Sequence, residues 1–325
     1  MVPLIDIAPL IRGEDATPIA RALHDACIQY GFFYVQGHGI AEDLQTDIET
    51  LSQAFFALPE EQKMQISMDK GGRAWRGFFP VGDELTSGIP DLKEGIYFGT
   101  ELGPEDSRVK ANLPMHGANL FPPQLPEMRA TVLAYMDALT QLGQHLLRGI
   151  SLSLGLAEDY FLQHFTADPL CLFRIFHYPS FGERQVEARQ WGVGEHTDYG
   201  LLTILKQDSV GGLQVKTPDG WIEAPYLPNT FVCNIGDMLD RMTGGYYRST
   251  PHRVRNLSGR SRYSYPFFFD PGFAAEIKSV PVEKAVGNAP ERWDGADLQA
   301  VQGTYGDYIL NKVSKVFPDL HHDQL

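Results

Sequence analysis

The stretch Gly192-Val193-Gly194-Glu195-His196-Thr197-Asp198-Tyr199-Gly200, running into the apolar Leu201-Leu202-Thr203-Ile204-Leu205, decides the reading of this chain. In extended backbone, residues i and i+2 project to the same side, so His196 and Asp198 can reach one ion together. The flanking glycines allow tight backbone at that point. A lone His-x-Asp is more often a surface turn, so the wider pattern has to decide. His252, which follows Pro251 at the start of another β-like run, offers a second imidazole. Two imidazoles and a carboxylate are the donor set that suits non-haem Fe(II), leaving open positions on the metal. Zinc uses the same side chains in hydrolytic sites. For His252 to join the pair, the fold must bring distant strands face to face.

Beyond His252 comes Arg262-Tyr263-Ser264-Tyr265-Pro266-Phe267-Phe268-Phe269. An arginine entering so apolar a strand is expected to be partly buried, and a buried guanidinium needs an anion. Its fixed fork matches a carboxylate, and Ser264 lies on the same side of the strand. A surface ion pair for Arg262 and a satisfied core hydroxyl for Ser264 are the plainer alternatives. A metal triad with a carboxylate anchor favours iron over zinc, because a hydrolytic zinc site has no general need of the anchor.

Working outward, residues 17–30 form a helix: Thr17 caps it, Pro18 suits its first turn, and Ile19, Leu23, Ala26, Cys27 and Tyr30 make one apolar stripe. Residues 32–36 read as a buried strand, 41–57 as a second helix, and Pro59-Glu60-Glu61 begins a short third. A long helix spans about 126–154. From Leu170 the texture changes to short β-like runs at 170–176, 201–206, 212–216, 221–224, 230–235, 252–255 and 262–269, with turn signals such as Pro218-Asp219-Gly220 between them. That spacing argues for a sandwich or jelly roll. A last helix is expected over 297–317. The irregular 69–122 stretch either covers a site or carries scattered short elements. Its Trp75, Phe78, Phe79, Tyr97 and Phe98 are read as a substrate lid or as core.

The whole is taken as one domain over 1–325: an N-terminal helical and irregular cover (1–125), backing helices (126–166), a jelly-roll core with the metal site (167–285) and a C-terminal helix (286–325). Lysine plus arginine total 27 against 41 acidic residues, a net charge of −14. That field repels phosphate backbones and anionic lipid, which argues against nucleic-acid and membrane partners, while a small anionic ligand stays open because local arginines decide it. Cys27, Cys171 and Cys233 are scattered in apolar stretches, as reduced core thiols of a cytoplasmic protein would be. The opening Met1-Val2-Pro3-Leu4-Ile5-Asp6 has no basic leader, and no apolar run reaches membrane-spanning length. His24 and His145 sit inside helical patterns, His38 lies in a glycine turn, His321 and His322 lie in the tail, and His116 and His164 have no metal-like partner at useful spacing.

The strings His196-Thr197-Asp198-Tyr199-Gly200, Asn234-Ile235-Gly236-Asp237, Ser249-Thr250-Pro251-His252-Arg253-Val254 and Arg262-Tyr263-Ser264 resemble the iron(II)/2-oxoglutarate-dependent oxygenases of the isopenicillin N synthase type. Gly31-Phe32-Phe33-Tyr34-Val35-Gln36-Gly37-His38-Gly39-Ile40 is similar to that family's usual opening. The resemblance implies a mainly β fold with flanking helices, a double-stranded β-helix core and a helical N-terminal layer. It implies His196, Asp198 and His252 as iron ligands and Arg262 and Ser264 as binders of the cosubstrate's distal carboxylate. Where many members carry Asn-Tyr-Tyr-Pro, this chain has Phe176-His177-Tyr178-Pro179. Tyr178 stays a candidate cosubstrate contact, Phe176 cannot hydrogen-bond, and His177 either helps hold a carboxylate or packs.

Gly82-Asp83-Glu84-Leu85-Thr86-Ser87-Gly88-Ile89-Pro90-Asp91, Arg108-Val109-Lys110-Ala111 and Met242-Thr243-Gly244-Gly245 are similar to a bacterial branch that includes the ethylene- and succinate-forming enzyme. Ethylene formation is not carried over. The activity implied is oxidation of a small molecule (hydroxylation, desaturation or cyclisation) with Fe(II), 2-oxoglutarate and O2, releasing succinate and CO2. Some members use the Arg-x-Ser pair without 2-oxoglutarate, so an Fe(II) oxidase of the same fold, or a non-catalytic ligand-binding relative, are the competing readings. A zinc hydrolase is the weakest.

Overall fold

The computed structural model describes residues 1–86, 88–180, 191–282 and 292–316. The expected tail histidines His321 and His322, and part of the 286–325 segment, lie outside those residues. Twelve strands occur among the described residues: β1 (Leu4–Asp6), β2 (Phe32–Gln36), β3 (Gly77–Phe79), β4 (Glu94–Gly99), β5 (Leu170–Tyr178), β6 (Val193–His196), β7 (Leu202–Gln207), β8 (Leu213–Thr217), β9 (Gly220–Glu223), β10 (Phe231–Ile235), β11 (His252–Val254) and β12 (Arg262–Asp270). Eight form one sheet in the order β1-β2-β10-β7-β12-β5-β4-β3, and four form a second, β6-β11-β8-β9. The non-sequential order is that of strands crossing between two sheets, as a jelly roll requires.

Helices cover the outer face of the larger sheet. The Glu127–Ser153 helix buries Val132, Leu139, Leu142, Leu146 and Ile150 almost completely. Each such side chain contributes roughly 1.5–3 kcal/mol relative to exposure. Gly143 lets this helix sit directly on β12, because a Cβ there would come 2.7 Å from the Phe269 ring. The Thr17–Gln29 helix is initiated by Asp15, whose carboxylate accepts from the Thr17 N–H at 2.9 Å, so Thr17 itself lies inside the first turn. The last helix runs from Tyr305 to Val316, shorter than expected because a 3-10 turn at Leu298–Ala300 and a loop precede it.

Period-2 alternation on β5 and β12 decides what faces inward. Ser264 is opposite Phe176, and Arg262 is opposite Tyr178. Leu172, Arg174, Phe176 and Tyr178 on β5, and Arg262, Ser264, Phe268 and Asp270 on β12, line a cavity that residues of the second sheet close from the other side. The intervening Phe173, Phe267 and Phe269 join the apolar core.

The irregular 69–122 region carries scattered elements. Its β3 and β4 extend the larger sheet beyond β5, and Phe78, Phe79, Tyr97 and Phe98 are buried there rather than forming a lid. Trp75 alone of the five lines the cavity. The three cysteines are buried and free, and burial pushes each thiol well up. Among the described residues no helix is long and apolar enough to cross a membrane.

Candidate active site

The strand β6 ends at His196, and the chain turns through Asp198 to Gly200 before entering β7. Gly200 is obligatory at this turn, since a Cβ would lie 1.4 Å from the Asp270 carboxylate. His252 opens β11 and pairs directly opposite His196. One donor atom from each of His196, Asp198 and His252 lies within 4.8 Å of the others. Asp198 Oδ1 is 3.7 Å from His196 Nε2 and 3.6 Å from His252 Nε2. Donors that each bind one ion at about 2 Å must lie within about 4 Å of one another, so this spacing fits a single cation.

Surrounding atoms aim all three donors. His196 Nδ1 lies 2.8 Å from the Gly194 carbonyl and His252 Nδ1 lies 3.2 Å from that of Thr250. A proton on each Nδ1 satisfies those carbonyls and would leave both Nε2 lone pairs free to hold an ion. Asp198 Oδ2 accepts from Thr203 Oγ1 at 2.5 Å and from Asn234 Nδ2 at 2.6 Å, which leaves Oδ1 for the metal. Burial lowers the proton affinity of both imidazoles, taking His252 to about 4. Burial alone would raise Asp198, but the adjacent imidazoles and the two hydrogen bonds outweigh it and hold the carboxyl low. Neutral imidazoles and an ionised carboxylate are the protonation states that ligation needs.

Further along the cavity lies Arg262, with no exposed surface. Its Nε donates to the Gly211 carbonyl at 2.6 Å, while Nη1 and Nη2 have no hydrogen-bond partner among the described residues. A buried charged fork with two idle nitrogens calls for an incoming anion, and a carboxylate fits it two-pronged. Tyr178 packs its ring 4.6 Å from the guanidinium carbon, and Ser264 Oγ donates to the Tyr178 hydroxyl at 3.4 Å. These three side chains are brought together.

His177 is not among them. It points to the opposite face of β5, where it stacks on Tyr263 at 4.8 Å and meets Glu94 Oε1 at 2.8 Å. Of the two roles expected for His177 the structure carries packing and not carboxylate binding, because adjacent strand residues face opposite ways and Tyr178 occupies the inward position.

The structure also brings in residues that sequence reasoning did not single out. Glu84, Thr86, Lys93 and Arg174 form a polar wall of the same cavity. Glu84 is 2.8 Å from Lys93 and 3.6 Å from Arg174, and accepts from the Tyr97 hydroxyl at 2.5 Å. Asp91 completes the cluster against Lys93 and Thr86. Arg174 lies 4.1 Å from the centre of the Tyr97 ring and 4.8 Å from that of Phe268, and its Nε has no hydrogen-bond partner among the described residues. The signal for Arg174 was present: an arginine inside the apolar run Leu170–Tyr178, in phase with Tyr178.

A jelly roll holding a two-histidine, one-carboxylate cluster beside a buried guanidinium fork has the donor set and anion-seeking cavity of a non-haem iron oxygenase with an organic acid cosubstrate. Residues 2–124 match the family described as non-haem dioxygenase in morphine synthesis N-terminal, and residues 169–271 match the 2OG-Fe(II) oxygenase superfamily. The chain belongs to that superfamily.

It is 49% identical to a Dictyostelium discoideum protein named "Probable iron/ascorbate oxidoreductase", over 100% of this chain and 97% of the relative. It is 39% identical to a homoarginine-6-hydroxylase of Oryza sativa subsp. japonica, over 96% of each. Among solved structures, a full-length Neurospora crassa protein in complex with alpha-KG and thymine superposes with a TM-score of 0.80 at 27% identity, over 96% of each chain. The protein is a non-haem Fe(II)- and 2-oxoglutarate-dependent dioxygenase, with Fe(II), 2-oxoglutarate and O2 as its cofactor set.

Proposed function

We propose that His196, Asp198 and His252 hold the Fe(II), that Arg262, Ser264 and Tyr178 receive the distal carboxylate of 2-oxoglutarate, and that the substrate is a small amino acid. The two idle Nη groups of Arg262 carry the cosubstrate assignment. When bound, iron and 2-oxoglutarate supply the oxidising chemistry, consuming O2 and releasing succinate and CO2 as a substrate C–H bond is attacked.

The protein's own part is positional. Gly194, Thr250, Thr203 and Asn234 fix the three ligands, so no ligand must reorganise when the metal enters. Arg262 and Tyr178 set the distance between the far carboxylate and the iron seat. Phe176 presents an apolar face to the cavity. Trp75, Phe176 and Phe268 keep that chamber largely apolar, which limits water at the reacting centre.

The substrate reading rests on the polar wall. The cavity, about 980 Å³ counting its open mouth, presents a carboxylate (Glu84) and a guanidinium (Arg174) side by side. Groups of both signs facing one chamber suit a zwitterion. Glu84 and Lys93 are close enough to the iron seat that their charges bear on His196. A relative acting on homoarginine is consistent with a substrate of that kind.

One catalytic domain is part of the same proposal, because Glu84 from the N-terminal cover and Ile309 from the last helix line the cavity of the core. The test is substrate-stimulated release of succinate from 2-oxoglutarate across a panel of basic, neutral and acidic amino acids, with thymine as the non-amino-acid control. Stimulation confined to amino acids, reduced in Glu84→Gln, is expected. Stimulation by thymine alone would overturn the substrate assignment.

A further inference from the structure

Immediately before β3 lies a second buried arginine that the oxygenase site does not use. Arg76 is 1% exposed. Its Nη2 donates to the Met115 carbonyl at 3.0 Å, while Nε and Nη1 have no hydrogen-bond partner among the described residues. Burial lowers its proton affinity to about 10, against the opposing pull of Glu101. Glu101 is engaged elsewhere: Oε1 meets Arg129 at 3.0 Å, and Oε2 accepts two N–H groups of Asn119.

The backbone is shaped to hold this guanidinium. The flanking residues Trp75 and Gly77 both have positive φ, 56° and 121°. A left-handed tryptophan is strained, and such strain persists only where the surroundings over-determine it. Two further glycines make room. A Cβ on Gly71 would strike the Arg76 carbonyl at 2.3 Å, and one on Gly99 would strike its Nη2 at 2.1 Å.

The guanidinium faces a small cavity that it shares with Arg108, His116, Met115 and Asp168. Arg108 already meets Asp106 through Nε and Nη2, and Asp168 through Nη1 at 2.7 Å. Asp168 is largely exposed and committed to that pair. His116 Nδ1 lies 2.8 Å from the Pro114 carbonyl, so its Nε2 side is the one left over. The space admits about one water-sized species.

The geometry points to a binding site for a small monovalent inorganic anion, of the chloride class, against Arg76. A lone water would satisfy hydrogen bonds there but leave the buried charge uncompensated. Tetrahedral oxyanions are too large for the space. The anion would sit against the residue that directly follows Trp75, which lines the oxygenase cavity. This site is independent of the iron and 2-oxoglutarate assignments.

Crystals soaked in bromide provide the direct test, with anomalous scattering locating the ion. Alongside, the unfolding midpoint of the metal-free protein is followed in chloride against gluconate at fixed ionic strength. A bromide peak beside the Arg76 fork is expected, together with a midpoint that rises with chloride. Arg76→Gln is expected to bind chloride at least about tenfold more weakly, the loss of a charge-assisted hydrogen bond. No bromide peak at Arg76, or equal midpoints in the two salts for the wild-type protein, would overturn the inference without reliance on the variant.

Discussion

Replacing Arg262 by glutamine separates stability from function in a way few active-site changes do. The two idle Nη groups would each form a charge-assisted hydrogen bond with the 2-oxoglutarate carboxylate. At about 1.5–3 kcal/mol each, their loss costs about 3–6 kcal/mol of cosubstrate binding, a hundredfold or greater rise in Kd. The cosubstrate-free protein responds differently. There the wild-type guanidinium is buried against one backbone carbonyl, with no carboxylate paired to it among the described residues. Asp208 is near enough for its charge to bear on the guanidinium but makes no ion pair with it, so removing this charge costs less than breaking a pair would, and glutamine can still donate to Gly211. The variant therefore unfolds at a urea midpoint close to that of the wild type, while 2-oxoglutarate no longer protects it. Anaerobic titration calorimetry with Mn(II) in place of iron, beside urea melts with and without 2-oxoglutarate, reads both quantities. Wild-type affinity in the variant, within a factor of three or so, would refute the anchor reasoning.

Four other outcomes follow from the same geometry. Asn234→Leu and Thr203→Val each free Asp198 Oδ2 to swing, and iron affinity measured by chelator competition falls about 10–100-fold. Gly200→Ala forces a Cβ into the Asp270 carboxylate, and the expected result is a clear loss of thermal stability even without metal. Asp270 is raised to about 7, chiefly by burial, against roughly 3.9 in an unfolded chain. The folded state then binds more protons than the unfolded one between about pH 4 and 7, so its contribution is fully present at low pH and lost as pH climbs through that window. Asp270→Asn flattens this slope in urea melts of the metal-free protein, and an unchanged slope would contradict it. Finally, Glu84→Gln raises KM for a cationic amino acid more than it lowers kcat, read by succinate release. An effect on kcat alone would move Glu84 out of substrate binding.

Much of the architecture is visible in residue order because it obeys simple periods. The Glu127–Ser153 helix and the strands from β7 to β12 follow apolar patterns strong enough to place them within a residue or two. Weak-pattern elements are less legible. The strand β6 is four residues long, and β3 and β4 owe their pairing to β5 rather than to their own composition. In the site, two separate segments had to meet, and they do: His196 and His252 sit opposite each other across β6 and β11. Alternation, applied more strictly, would have excluded His177 as a neighbour of the inward Tyr178 and included Arg174. The supporting roles of Thr203 and Asn234 depend on cross-strand register, with Asn234 directly opposite Thr203, which no local pattern encodes. The polar wall of Glu84, Lys93 and Asp91 comes from a loop whose path is set only by what it packs against.

The central claim is that the three ligands and Arg262 together seat one iron and one 2-oxoglutarate. Anaerobic visible absorption tests it most directly, with Fe(II) added to the apo protein, then 2-oxoglutarate, in parallel with Asp198→Ala and Arg262→Gln. A weak charge-transfer band that requires both additions, is lost in Asp198→Ala and needs far more 2-oxoglutarate in Arg262→Gln, is the predicted result. Bound iron with no such band at any 2-oxoglutarate concentration would contradict it.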